Sequence, residues 1–206
     1  MWLNVVLRWL PLVVLGAMLI ISRLQVRAMR RRGLRVMVVD RERPARQMIY
    51  DSLIVAVFLF WFYLLVAEAL SLPLAWLPDW FASRPLDALP LKIAGAILLV
   101  AVPLAFAAAI RAMDASWRMG IDRNEPGPLV TTGLFAYSRN PIYMAFDMMF
   151  VAAFLIHGRI IFLIVAAAFI LLLHGVILRE ERFLAGRFGD EFRDYCNRVG
   201  RYSPLG

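Results

Sequence analysis

The chain has 206 residues, 62% of them apolar, with a mean hydropathy of +0.71 and a formal net charge of +8. Ordinary soluble domains are about 45–50% apolar, so the bilayer forms part of this protein's solvent. A single cysteine, Cys196, excludes an internal disulfide framework and any Cys-rich zinc motif, and His157 and His174 sit at no metal-ligand spacing, so no metal site is expected.

A helix needs about 20 mostly apolar residues to cross the hydrocarbon. Five segments qualify in chain order: about Leu3 to Ile21, Ile49 to Leu70, Leu89 to Ile110, Pro141 to Ile156, and Ile160 to Leu178. The first is too long for a signal peptide, and basic residues rather than a small-residue cleavage pattern follow it. The last two are separated only by His157, Gly158 and Arg159, which predicts a tight antiparallel hairpin. Glu68, near the far end of the second span, reads as a solvated or snorkelling group. The stretch SLPLAWLPDWFASRPLDALP, with Trp76 and Trp80, reads as an interfacial anchoring loop.

Arginine is unevenly spread. Nine arginines lie between Arg23 and Arg46, four between Arg111 and Arg139, and six from Arg179 to Arg201. With five crossings all three groups fall on one side, which the positive-inside rule makes the cytoplasm. The amino terminus is then outside and the carboxyl terminus inside. This loop-confined charge argues for a topology signal and against a nucleic-acid surface. Arg30, Arg31 and Arg32 also suit lipid phosphates.

The polar residues gather in two places. Asn140 is a good N-cap and Pro141 a favoured first helical residue. The amides of such a helix start attract anions, and Gly127, Pro128 and Gly133 keep the preceding loop compact. Asn140, Tyr143 and Asp147 share one helical face, and a carboxylate two turns into an apolar helix needs a partner or a wet cavity. A site and a well-capped helix with a buried polar patch explain this equally. Glu180 and Glu181 are expected to end the fifth helix, where acids oppose the macrodipole unless a ligand uses them or the helix continues. His174 lies on a similar face, as a packing residue or a substrate contact. Beyond it, Leu184, Phe188, Phe192, Tyr195 and Val199 recur at helical spacing with interleaved arginines, which predicts an amphipathic helix interrupted at Gly189.

The motifs LVTTGLF, SRNPIY, the Glu180–Glu181 pair and FGDEF, in that order and spacing, resemble the integral-membrane methyltransferases, which include isoprenylcysteine carboxyl methyltransferases and phospholipid methyltransferases. The likeness runs from about Trp117 to Pro204. It implies S-adenosylmethionine as cofactor, held by Gly127, Pro128, Leu129, Val130, Phe135, Asn140, Pro141, Ile142, Tyr143 and Glu180. Arg139, Asp147 and Glu180 are the candidate catalytic residues, and Arg179 and His174 the candidate substrate contacts. Two positions depart from the family pattern. Asn140 stands where histidine is usual, and Val176 stands where the prenylcysteine enzymes carry an arginine.

The expectation is therefore an all-α membrane protein of about five transmembrane helices with a C-terminal cytoplasmic amphipathic helix. It forms one membrane domain over 1–206, with an N-terminal part over 1–116 and a cofactor-binding part over 117–206. The expected location is the bacterial inner membrane with the active site facing the cytoplasm. The expected function is transfer of a methyl group to a lipid or prenylcysteine-like acceptor. A nicotinamide-dependent sterol-type reductase and a non-catalytic relative of the same bundle are the alternatives, and no nucleic-acid partner is expected.

Overall fold

The computed structural model describes residues 2–33, 44–113 and 127–203. The middle of the first basic loop, the segment from Trp117 to Pro126, the 116/117 boundary and Pro204 lie outside the described residues. All regular structure among the described residues is helical: α1 (Trp2–Arg31), α2 (Ala45–Ala69), the short α3 (Asp79–Ala82), α4 (Leu89–Met113), a 3-10 turn (Gly133–Ala136), α5 (Pro141–His157), α6 (Ile160–Phe188) and α7 (Asp190–Arg198).

α1, α2, α4 and α6 are long and apolar enough to cross a membrane, and α5 is a shorter apolar helix of 17 residues. Their outward faces fit that solvent. Val13, Ile97, Leu104 and Leu171 are between 62% and 71% exposed, an apolar surface that water would penalise and lipid does not. Within hydrocarbon every backbone group must be satisfied inside its own segment, which a helix does.

α1 and α6 run furthest past the lengths expected from hydropathy. α1 continues from Ile21 to Arg31, because Arg, Leu, Gln and Met are good helix formers and no glycine intervenes before Gly33, whose φ is +75°. α6 continues two turns past Glu181 and stops at Gly189, where φ is +54°. The carboxylates at 180 and 181 therefore do not end the helix. Their conflict with the macrodipole disappears, since that effect fades beyond the last turn.

The chain divides into two compact units. The first comprises residues 1–17, 44–103 and 146–173. Its centre is aromatic. Trp61 of α2 stacks on Phe150 of α5 at 4.2 Å, and Phe150 stacks on Phe169 of α6 at 3.8 Å. α4 lies close against α5 at Gly95, where an added Cβ would come within 2.9 Å of the Ala152 carbonyl oxygen. Small residues at such crossings let membrane helices pack by van der Waals contact. The α5–α6 turn places Gly158 at φ +66° with its Cα against the Leu86 carbonyl, so both the conformation and the space require glycine.

Glu68 is not solvated. It is 5% exposed and takes hydrogen bonds from Arg84 Nη2 at 2.9 Å and from Arg159 Nε. Arg159 Nη1 also donates to the Ala82 carbonyl at 2.5 Å. A buried carboxylate demands such partners, and these come from a loop 16 residues away and a turn 91 residues away.

The second unit comprises residues 18–43, 104–145 and 174–206. Here the spacing of the tail residues is borne out. Phe192, Tyr195 and Val199 form a buried cluster against Leu129, Leu184, Phe188 and Cys196. The break at Gly189 turns α7 while its apolar face continues that of α6.

Candidate functional site

The polar cluster lies in the second unit, built from the start of α5, the later part of α6 and the chain after α7. The 3-10 turn leads into it. Gly133 begins that turn at φ +63°, and Phe135 within it is 9% exposed. The Tyr195 hydroxyl of α7 donates to the Phe135 carbonyl at 2.6 Å, and burial raises the phenol to a pKa of about 12, so it remains a donor.

Three consecutive residues, Ser138, Arg139 and Asn140, bind the segment after α7. The Ser138 hydroxyl donates to the Arg201 carbonyl at 3.0 Å and accepts the Asn140 backbone N–H at 3.1 Å. The Arg139 backbone N–H donates to the Gly200 carbonyl at 3.1 Å. Asn140 is 6% exposed, and its side-chain Nδ2 donates to Glu181 Oε1 at 3.2 Å and to the Arg201 carbonyl at 3.4 Å. Asn140 thus marks the helix start while its amide reaches across to α6.

Glu181 is the hub. Arg201 donates to its Oε2 from Nε at 3.1 Å and from Nη2 at 2.7 Å, and hydrogen bonding to this carboxylate raises the guanidinium pKa above its ordinary value. Arg139 Nε stands 3.2 Å from Glu181 Oε1 as an ion pair, yet the geometry does not make a hydrogen bond, so this buried N–H has no acceptor. Arg139 Nη1 reaches the Cys196 carbonyl at 3.5 Å. Burial raises the Cys196 thiol above its ordinary range, which keeps it protonated beside these groups. Glu180, one residue earlier, accepts a hydrogen bond from the Tyr143 hydroxyl at 2.7 Å.

The structure therefore brings together Arg139, Asn140, Tyr143 and Glu180 among the residues singled out from sequence. Pro141 and Ile142 occupy the first turn of α5, and Gly127, Pro128, Leu129 and Val130 form the extended stretch ahead of the 3-10 turn, where Leu129 packs against α7. His174 pairs with the Tyr202 hydroxyl at 2.5 Å. Arg179 is half-buried on α6. Asp147 belongs to the first unit, and its Oδ1 is buried without a hydrogen-bond partner. Sequence reasoning missed Ser138 and Arg201. Arg201 registered only as one of many basic residues, and its pairing with Glu181 spans 20 positions and two helix ends.

These features define an all-helical integral membrane protein with a buried, charge-paired cluster at the ends of its apolar helices. Residues 91–191 match the family model of phospholipid methyltransferases. The match runs from the first turn of α4 into α7, takes in both halves of the cluster except Tyr195, Cys196, Gly200 and Arg201, and makes this part of the chain similar to the membrane methyltransferases. No curated protein matches the chain.

Proposed function

We propose that the protein is an S-adenosylmethionine-dependent methyltransferase acting on a lipophilic acceptor within the membrane. The observation that carries this reading is the joining of two motif halves 37 to 41 residues apart, by Tyr143–Glu180 and Asn140–Glu181, inside a segment that matches a methyltransferase family.

The donor set suits the cofactor. The unpaired N–H at Arg139 Nε and the first-turn amides of α5 fit its carboxylate. Glu180, oriented by Tyr143, fits a ribose diol or the amine. Gly127 to Val130 and Phe135 fit the adenine. S-adenosylmethionine, when bound, supplies a methyl group already activated by its sulfonium. The residues around it have mainly to position the two reactants and exclude water. A carboxylate or thiolate acceptor needs no base. For an amine acceptor, Glu180 is the group we assign to proton removal.

Residues 1–116 then serve as scaffold and 117–206 as the cofactor-binding part of a single membrane domain. α5, about 26 Å long at 1.5 Å per residue, is the fifth crossing, since membrane helices of about 17 residues still span. The arginine-rich loops and the cluster then face the cytoplasm, with α7 lying on that side of the bacterial inner membrane. A reporter fused after Gly206 is expected to be active only as a cytoplasmic reporter, and activity on the outer side would overturn the five-crossing topology.

The acceptor is a membrane lipid or another small lipophile. Val176 lies one turn before Glu180 on the same face of α6, where a carboxylate acceptor would require a counter-charge. A charge-assisted hydrogen bond in a dry site is worth about 1.5–3 kcal/mol, enough to decide between substrates. His174 and Arg179, on the same helix, are the proposed substrate contacts. The test is radiolabelled methyl transfer from S-adenosylmethionine to a total lipid extract, beside a prenylcysteine analogue. Labelled lipid is the expected product. Saturable methylation of the analogue alone would move the protein to the prenylcysteine branch, and binding of a reduced nicotinamide in place of S-adenosylmethionine would overturn the reading altogether.

A further inference from the structure

Of the 23 lysines and arginines in the chain, nineteen lie in the three arginine-rich segments. The other four are Arg8, Arg84, Lys92 and Arg159. They come from α1, the loop after α3, the first turn of α4 and the α5–α6 turn, and all belong to the first unit. They are not scattered. Arg84 and Arg159 share Glu68, whose Oε2 lies 3.7 Å from His157 Nδ1, Arg8 bonds Ser71 three residues beyond Glu68, and Lys92 pairs with Asp87, which lies against Gly158. We propose that this cluster is a binding site for the phosphate of an anionic phospholipid headgroup.

The charge balance supports a ligand rather than simple neutralisation. One cation would satisfy Glu68, yet Arg84 and Arg159 both bind it. Lys92 pairs with Asp87, whose carboxyl is held below its ordinary range by the hydrogen bond from Lys92 and by the nearby Arg84 charge, so this pair stays ionised. Arg8 Nη1 donates to the neutral Ser71 hydroxyl at 2.6 Å and has no carboxylate there. Even with Asp79 counted, the four cations exceed the three carboxylates of this end, Glu68, Asp79 and Asp87.

The side chains are built in rather than loose. Those of Arg84, Arg159 and Lys92 are 29%, 20% and 15% exposed, so they are held in place and still reachable. An arginine already fixed by a carboxylate presents its remaining N–H groups in a rigid fork, the geometry that matches phosphate oxygens. Beside them His157 is 2% exposed, and its Nε2 is buried without a partner. The aromatic residues set the depth. Trp76 and Trp80, 55% and 59% exposed, stand on the same loop, and Trp76 Nε1 donates to the Tyr63 hydroxyl at 3.1 Å. Tryptophan at this exposure prefers the headgroup level of a bilayer, where lipid phosphates lie.

Cations on this side also work against the charge asymmetry that orients the chain. The site lies wholly in the first unit and does not depend on the cofactor reading.

The test is thermal unfolding of the full chain in neutral detergent, with added phosphatidylglycerol, phosphatidylcholine or inorganic phosphate. Phosphatidylglycerol is expected to raise the midpoint, and the other two are not. An Arg8→Gln, Lys92→Gln double variant, which leaves the Glu68 pairs intact, is expected to need on the order of thirtyfold more phosphatidylglycerol for the same shift, since each of the two lost charges near the surface weakens binding roughly fivefold. An Arg30→Gln, Arg31→Gln variant is expected to retain the wild-type response. An equal shift with phosphatidylcholine would overturn the proposal, as would a response lost only in the Arg30, Arg31 variant. A shift with inorganic phosphate would point to a free anion and likewise overturn the lipid assignment. Native mass spectrometry of wild-type protein from equimolar mixed micelles gives a reading that needs no variant: preferential retention of phosphatidylglycerol supports the site, and equal retention overturns it.

Discussion

Glu180→Ala is expected to weaken S-adenosylmethionine binding roughly 10- to 150-fold, because a hydrogen bond to a carboxylate contributes about 1.5–3 kcal/mol. Glu180 has Tyr143 as its partner and no arginine bonded to it, so its loss strands only a hydroxyl. The fold should survive, and the effect should appear in binding. Glu181→Ala provides the contrast. Glu181 holds Arg201, Asn140 and the Arg139 charge together, so its removal leaves partly buried cations uncompensated. That should appear as a loss of stability of a few kcal/mol before any question of affinity arises. Isothermal titration and thermal unfolding of the two variants separate these roles. Unchanged cofactor affinity in a folded Glu180→Ala protein would remove Glu180 from the site.

Glu68→Ala should destabilise the protein by about 3–5 kcal/mol, the usual cost of removing one partner from a buried ion pair. Two guanidinium groups, at Arg84 and Arg159, lose their shared acceptor, and with it goes the tie between the end of α2, the loop around α3 and the α5–α6 turn. Glu68→Gln retains one acceptor oxygen and should recover part of the loss. Chemical denaturation in detergent measures both. A loss below about 1 kcal/mol for the alanine variant would mean that Glu68 behaves as a surface carboxylate.

The contrast between these two glutamates shows what the sequence could and could not reveal. Local rules located much of the framework. Pro141 begins α5, Gly189 breaks the last helices, and residues 157–159 make the hairpin turn, each because one residue's own backbone preference decides the matter. The apolar tail pattern from Leu184 to Val199 was legible for the same reason, since its period needs no distant partner. Glu68 was misread because its partners lie far along the chain, and a carboxylate near a helix end looks the same whether water or arginine surrounds it. Glu180 and Glu181 were singled out as a pair and placed at a helix end. Hydropathy falls there, whereas the helix itself continues through charged residues to Phe188. Ser138 and Arg201 carry no local signature, and only tertiary contact reveals them.

The bonds from Ser138, Arg139 and Asn140 to residues 200 and 201 also set an order of assembly. Translation produces the α5 start about sixty residues before its partners, and the intervening chain consists chiefly of the apolar helices α5 and α6. Until residues 199–201 dock, the Ser138 hydroxyl and the Glu181 carboxylate lack their Arg201 partners, and non-local contacts of this kind form late because chain entropy must be overcome first. The cluster we propose for the cofactor is thus a product of the last folding step. An intermediate with all its helices formed can still lack this cluster, so binding of the proposed cofactor would report completion of the fold rather than helix formation.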